Sequence, residues 1–276
     1  MFYIFVVFFL CFFSLTESIP IPDESRKFEC GNSDAIDRYG NIANNGGHGY
    51  SNRIMGGVVS PPRYWPWIVA LIGEGAECTG EIIGDRWIIT AKHCKEEVDS
   101  GFFVIGTRNK YRVTNETKYE IKTSYLPDDK SDIMLVELSQ NLKYSKSISP
   151  ICISKSIEPK VGDIAVVAGF GTLFIEYDAD SDTGVDSEPT NLLHEGLVTI
   201  KDKDECRQKI NYTMEFDICA GGINRGINRG VMSGDSGGPI MGVKNHKFYL
   251  YGSVSGGEAF QITKNDNLTV NELGKI

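Results

Sequence analysis

The 276-residue chain is 41% apolar and 24% charged, with 30 glycines and only 10 prolines, a globular composition that excludes an intrinsically disordered or collagen-like protein. Asp plus Glu outnumber Lys plus Arg by 37 to 28, giving a formal charge of −9 without any long basic run, which argues against a nucleic-acid partner. Seven cysteines are too few for a disulfide-dense miniature scaffold, and their odd number needs an explanation in an oxidising compartment.

Residues 2–15 read FYIFVVFFLCFFSL and end at Thr16, Glu17 and Ser18. Such a run is shorter than the roughly 20 residues of a bilayer-spanning helix. Residues 1–18 are therefore expected to be a secretory signal peptide cleaved near Ser18, although the usual positive charge before the apolar stretch is missing; an uncleaved membrane anchor is the alternative. Cleavage would remove Cys11 and leave Cys30, Cys78, Cys94, Cys152, Cys206 and Cys219, an even set. Sequons at Asn115, Asn211 and Asn267 agree with secretion.

Residues 19–53 are polar, carry NIANNGGHGYSN and show no apolar period, which predicts a flexible extension outside the core. Beyond Arg53, short apolar runs such as YWPWIVALI, EIIGDRWIITA, DIMLVEL, IAVVAGFG and KFYLYGSVSG are split by Gly, Asp, Asn and Pro. This spacing predicts an all-β sandwich or barrel, with one short helix around Asp202–Lys209. The stretch Thr172–Asn191 contains Asp178, Asp180, Asp182, Asp186 and Glu188. Calcium is disfavoured because Thr183 stands where an EF-hand loop needs Gly, so a solvated acidic loop is expected. The tandem INRG copies at 223–230 are too short to make a repeat fold.

The segment Gly234-Asp235-Ser236-Gly237-Gly238-Pro239 places a serine between glycines, where a tight turn can aim the N–H groups of Gly234 and Ser236 at one point. Two converging donors suit the oxyanion of an acyl-transfer reaction. A serine hydroxyl also needs a base, and that base needs an orienting group. Of the four histidines, His48 lies in the leader and His194 and His246 sit among polar neighbours, as surface residues would. His93 ends an apolar strand beside Cys94 and is the favoured base. Asp132 leads into another apolar strand; on its own it reads equally well as a turn cap.

TAKHC at 90–94, DIML at 132–135 and GDSGGP at 234–239 together resemble the three catalytic motifs of secreted trypsin- and chymotrypsin-like serine proteases, in the same order. The resemblance runs from Arg53 to Gly257. It implies two packed antiparallel six-stranded β-barrels with the active site between them, dividing near residues 145–160 of a protease domain spanning 54–276. It also implies Ser236 as nucleophile, His93 as general base and then acid, and Asp132 as the group that holds the imidazole. Ser255 matches a serine that hydrogen-bonds the catalytic aspartate. Arg53-Ile54-Met55-Gly56-Gly57 is similar to an activation site, making residues 19–53 an activation peptide and pairing the freed Ile54 amine with Asp235. The implied disulfides are Cys78–Cys94, Cys206–Cys219 and Cys30–Cys152. Protein or peptide substrates and an activating protease are the implied partners. No cofactor or metal is expected, nor a membrane partner after signal removal, and a monomer is expected.

The chain departs from that family in several places. Met232 replaces a cysteine near the nucleophile, Ala165 and Gly242 replace another disulfide, and Gly256 replaces a tryptophan of the specificity pocket. By the family's spacing the pocket involves Gly230, Val231, Ser255 and Gly257, with no carboxylate to favour Arg or Lys. Residues 258–276 are polar and lack the closing helix that the family has. These departures motivate an alternative, a protease homologue that binds a partner without catalysis.

Overall fold

The computed structural model describes residues 2–5, 29–40, 58–127, 131–172, 175–178, 183–186, 190–209, 217–222, 231, 233–259 and 273–275. Strands dominate. In chain order they begin with β1 (Phe2–Phe5), β2 (Val58–Val59), β3 (Ile68–Ile72), β4 (Glu77–Ile82), β5 (Trp87–Ala91), β6 (Phe102–Val104), β7 (Lys118–Tyr125) and β8 (Ile133–Leu138). There follow β9 (Ile164–Gly169), β10 (Ile175–Asp178), β11 (Thr183–Asp186), β12 (His194–Ile200), β13 (Asp217–Gly222), β14 (Pro239–Lys244), β15 (Lys247–Ala259) and β16 (Leu273–Lys275).

The runs IVALI of β3 and IMLVEL of β8 are rich in β-branched and aliphatic side chains and are buried along most of their length, as strands covered on both faces must be. Six of these strands close into a barrel in the order β3-β4-β5-β8-β7-β6. A second antiparallel sheet runs β1-β13-β12-β9-β14-β15-β16, and β1 pairs with β15 as well as with β13, so that six of its strands also form a ring. The architecture is the all-β double barrel that the motifs imply. One large core cluster joins both barrels through residues such as Trp67, Phe103, Phe170, Leu197 and Met241, and a smaller one lies within the second barrel around Val167, Ile240 and Val254. Lys110 stitches the two together: its fully buried ammonium donates to Glu77 and, at 3.2 Å, to the Phe170 carbonyl.

Cys30–Cys152, Cys78–Cys94 and Cys206–Cys219 are bonded. The absent bridge at Ala165 and Gly242 has a packing substitute, because the Tyr251 ring lies so close over Gly242 that a Cβ there would sit 2.0 Å from its Oη. Burial, with the Asp163 charge nearby, pushes the Tyr251 phenol up to about 12, so it stays neutral in this niche. The helix expected near Asp202 spans Lys203–Lys209, and the Asp202 carboxylate caps its start by accepting the Asp204 N–H at 2.8 Å.

Three expectations need correction. The leader is not wholly an extension: residues 29–40 are fixed to the body, with Gly31 hydrogen-bonded to Pro150 and Phe248, a short helix at Ile36–Tyr39, and Ala35 and Tyr39 in the main core. Its anchor is Glu195 on β12, whose carboxylate accepts the Tyr39 hydroxyl at 2.5 Å, Trp65 Nε1 at 2.6 Å and Ser60 Oγ at 2.8 Å, with the Arg38 guanidinium at 3.5 Å. Polar composition hid this, because only Ala35, Ile36 and Tyr39 of this segment pack on the core, too short a stretch to show a period. His194 is buried on β12 rather than at the surface, with Nδ1 2.7 Å from the Leu192 carbonyl, and burial lowers its pKa. The acidic stretch, expected as a solvated loop, contains an antiparallel strand pair, β10 with β11. Asn211, Asn267 and the INRG copies lie outside the described residues, while Asn115 lies in the exposed turn before β7.

Candidate active site

β5 and β8 are neighbours, and their register sets Ala91 opposite Ile133. The segments that leave these strand ends therefore meet: His93 in the turn Lys92–Cys94 and Asp132 just before β8. The two oxygens of Asp132 divide the work. Oδ1 accepts the His93 backbone N–H at 2.8 Å, and Oδ2 lies 2.7 Å from His93 Nδ1. Ser255 Oγ on β15 donates to the same Oδ2, and the Lys92 N–H reaches the Asp132 carbonyl at 3.2 Å. An ionised carboxylate only accepts, so Nδ1 carries the imidazole proton and Nε2 is left as an acceptor. The His93 side chain is 44% exposed while that of Asp132 is 14% exposed, which places the open face of the ring toward solvent and the carboxylate behind it.

Ser236 lies on a turn held from both barrels. Its carbonyl accepts the Thr79 N–H at 2.8 Å, Gly237 N–H donates to Val254 at 2.7 Å, and Gly238 N–H closes the turn on Asp235 at 2.8 Å. Gly234 and Gly237 have φ of 92° and 78°, a region that side-chain-bearing residues rarely enter. At Gly237 space is also decisive, since a Cβ would fall 2.2 Å from Thr90 Oγ1. Asp235 is buried, with Oδ1 accepting the Gly171 N–H at 2.8 Å; a Cβ on Gly171 would come within 2.5 Å of that carboxylate. Gly171 was not among the expected site residues, and its only sequence signal is the Gly-Phe-Gly run at 169–171.

Of the expected pocket residues, Val231 packs into the core of the second barrel, and Gly256 and Gly257 lie opposite Tyr3 and Phe2 of β1. Arg53, Ile54, Gly230 and Met232 lie outside the described residues. Among the described residues no group of three or more His, Cys, Asp or Glu is gathered to hold a metal ion, and no helix is long and apolar enough to cross a membrane.

β4 also carries a carboxyl group that the motifs did not reveal. Glu81 is fully buried and accepts a hydrogen bond from Ser253, two residues before Ser255, while its Oε2 has no partner among the described residues. Burial drives its pKa well above the ordinary 4.5, with the Ser253 bond opposing. The folded protein thus keeps a proton on Glu81 that the unfolded chain releases above pH 4.5, and stability falls with rising pH until the folded group itself ionises. Glu81→Gln, neutral at every pH, is expected to have nearly the parent stability near pH 4.5 and to be increasingly the more stable protein above it. The gap should widen by up to about 1.4 kcal/mol per pH unit before levelling off, read by denaturant unfolding from pH 4 to 9. A pH-independent difference would refute this.

Two antiparallel barrels, with a histidine bound to an aspartate at one strand junction and a serine on a glycine turn at the next, define the architecture of a serine peptidase. The family model described as Trypsin matches residues 54–270, and the chain belongs to that family of serine proteases. It is 30% identical over 203 residues to Kallikrein-8 of Rattus norvegicus and 29% identical over 203 residues to Kallikrein-8 of Mus musculus, each alignment covering 69% of this chain and 72% of the relative. Serine protease 56 of Homo sapiens is 28% identical over 204 residues, covering 68% of this chain and 31% of that protein.

Proposed function

We propose that the protein is a secreted serine endopeptidase, made as a zymogen and activated by cleavage after Arg53. The observation that carries the catalytic part is the two-point grip of Asp132 on His93, at 2.8 Å to its backbone N–H and 2.7 Å to Nδ1. With Nδ1 holding the proton, His93 Nε2 takes the proton of Ser236 Oγ as that oxygen attacks the scissile carbonyl. The N–H groups of Gly234 and Ser236 receive the oxyanion of the tetrahedral intermediate. The imidazolium, stabilised by Asp132, then protonates the leaving amine; water, giving a proton to His93, attacks the acyl-enzyme carbonyl, and His93 returns that proton to Ser236 Oγ as the ester bond breaks and the acid leaves. Substrates are proteins or peptides with a neutral or apolar side chain before the scissile bond, since no carboxylate is expected in the pocket.

Activation follows from the cost of burying charge. Cleavage frees the Ile54 ammonium to pair with the buried Asp235 carboxylate, and that pair fixes the turn that bears Ser236. Signal cleavage near Ser18 would remove β1 and leave the second barrel open between β13 and β15. The leader stays behind on Cys30–Cys152, so the active monomer is two linked chains.

The test is fluorophosphonate labelling before and after cleavage at Arg53, with Ser236→Ala as control and non-reducing mass spectrometry of the product. Labelling that requires both Ser236 and the cut, on two disulfide-linked chains, is the expected result. Absence of Ser236-dependent labelling would favour a binding module on the same fold, full labelling of the uncut chain would sink the zymogen reading, and separate chains would sink the retained leader.

A further inference from the structure

Thr79, on β4 directly after Cys78, is fully buried and spends its polar atoms on three other segments. Its N–H donates to the Ser236 carbonyl at 2.8 Å, and its carbonyl accepts Thr90 Oγ1 at 2.8 Å. Its hydroxyl donates to the Gly234 carbonyl at 2.8 Å and accepts the Phe170 N–H at 3.3 Å. The strand that carries these contacts is stapled to the residue after His93 by Cys78–Cys94. Thr79 therefore reaches the serine turn, the segment that binds Asp235 and the strand leading to the histidine.

The turn needs such a restraint. Gly234, at φ 92°, has no side chain to oppose rotation of its peptide planes, and a rotated plane aims its N–H away from the substrate carbonyl. Asp235 holds the turn from the side of the second barrel, through Gly171. Thr79 holds it from the first barrel, gripping the carbonyls of Gly234 and Ser236 on either side of Asp235. With those two carbonyls fixed, the intervening peptide that carries the Ser236 N–H is confined, while the peptide that carries the Gly234 N–H is held through its Ser233 carbonyl, which accepts the Thr172 N–H at 2.9 Å.

We propose that Thr79 is a positioning residue for oxyanion stabilisation, its hydroxyl holding the Gly234–Asp235 peptide so that the Ser236 N–H, on the next peptide, converges with the Gly234 N–H. The role rests on the serine endopeptidase reading. It is separate from substrate binding, because the hydroxyl is turned into the protein and is saturated by Gly234 and Phe170.

The experiment compares Thr79→Val, which keeps the shape and removes the hydroxyl, with Thr79→Ser, which keeps the hydroxyl. The inactivation rate constant and inhibitor affinity of a fluorophosphonate are measured on Arg53-cleaved protein, together with hydrogen exchange over residues 233–238. Thr79→Val should slow inactivation about tenfold to a hundredfold with affinity changed less than about twofold, and should speed exchange of the turn; Thr79→Ser should stay within about threefold of the parent. Should Thr79→Val not fold, Thr79→Ala makes the same comparison. Parent-like inactivation by the variant lacking the hydroxyl, or an equal loss in Thr79→Ser, would overturn the proposal. A parent protein without Ser236-dependent labelling would sink the endopeptidase reading alone, and hydrogen exchange would then still decide whether Thr79 holds the turn.

Discussion

Asp132→Asn is expected to lower kcat by about four orders of magnitude while KM and thermal stability change little. Oδ1 can still accept the His93 backbone N–H at 2.8 Å, so the local chain path survives. The amide NH2 then falls at the other position, 2.7 Å from Nδ1, where it can only donate. The imidazole responds by moving its proton to Nε2, and a protonated Nε2 cannot accept the Ser236 proton. Turning the amide over restores an acceptor for Nδ1 but sets two donors, the amide and the His93 N–H, against each other. The Ser255 hydroxyl would favour the first arrangement poorly, since it also donates to Oδ2 and must reverse its role. A Michaelis–Menten comparison after cleavage at Arg53, with thermal melts on the same samples, checks this; a loss of tenfold or less would mean that Asp132 does not set the tautomer.

Tyr39→Ala is expected to remove about 4 kcal/mol of stability, within the range for truncating a buried aromatic. The ring, 3% exposed, lies 5.5 Å from that of Trp65, which in turn packs edge-on against Phe248 at 5.0 Å. Its hydroxyl is one of the donors that Glu195 depends on in a site without water access, and both burial and the Glu195 charge hold it un-ionised. Tyr39→Phe retains the ring and loses only this hydrogen bond to a charged acceptor, so its loss should be about half as large. Thermal unfolding of the uncleaved protein should rank the parent above Tyr39→Phe and Tyr39→Phe above Tyr39→Ala. A parent-like melting temperature for Tyr39→Ala would mean that the leader is a passenger.

The family's motifs were legible because each is local: a glycine-bounded serine, a histidine beside a cysteine, and an aspartate opening an apolar strand. The barrels were legible from short strands between turn residues. Contacts that join distant segments were not. Nothing around Asn32–Gly40 distinguishes Tyr39 from an exposed tyrosine, because its partner Glu195 is 156 residues away. Thr79 and Glu81 read as ordinary members of a strand, and only the approach of the second barrel shows that their shared side faces Gly234 and Ser253. His194 misled because it lies on a strand covered on both sides in the sheet, pairing with Val59 of β2 and Gly169 of β9.

The docked leader also gives the molecule a folding history. Ala35 and Tyr39 belong to the same core as Trp67 and Phe103, so residues 29–40 would assemble with the body before any cut separates them. In the proposed activated form, a cut at Arg53 would remove the connection between the two while leaving their shared core contacts in place. While Cys30–Cys152 is intact, the two pieces remain at high effective concentration and can re-form the site after unfolding. Once that bridge is reduced, every unfolding event becomes a dissociation, and recovery depends on two fragments meeting in dilute solution. The activated protein would then persist because it unfolds slowly and not because it refolds, a durability set by kinetics.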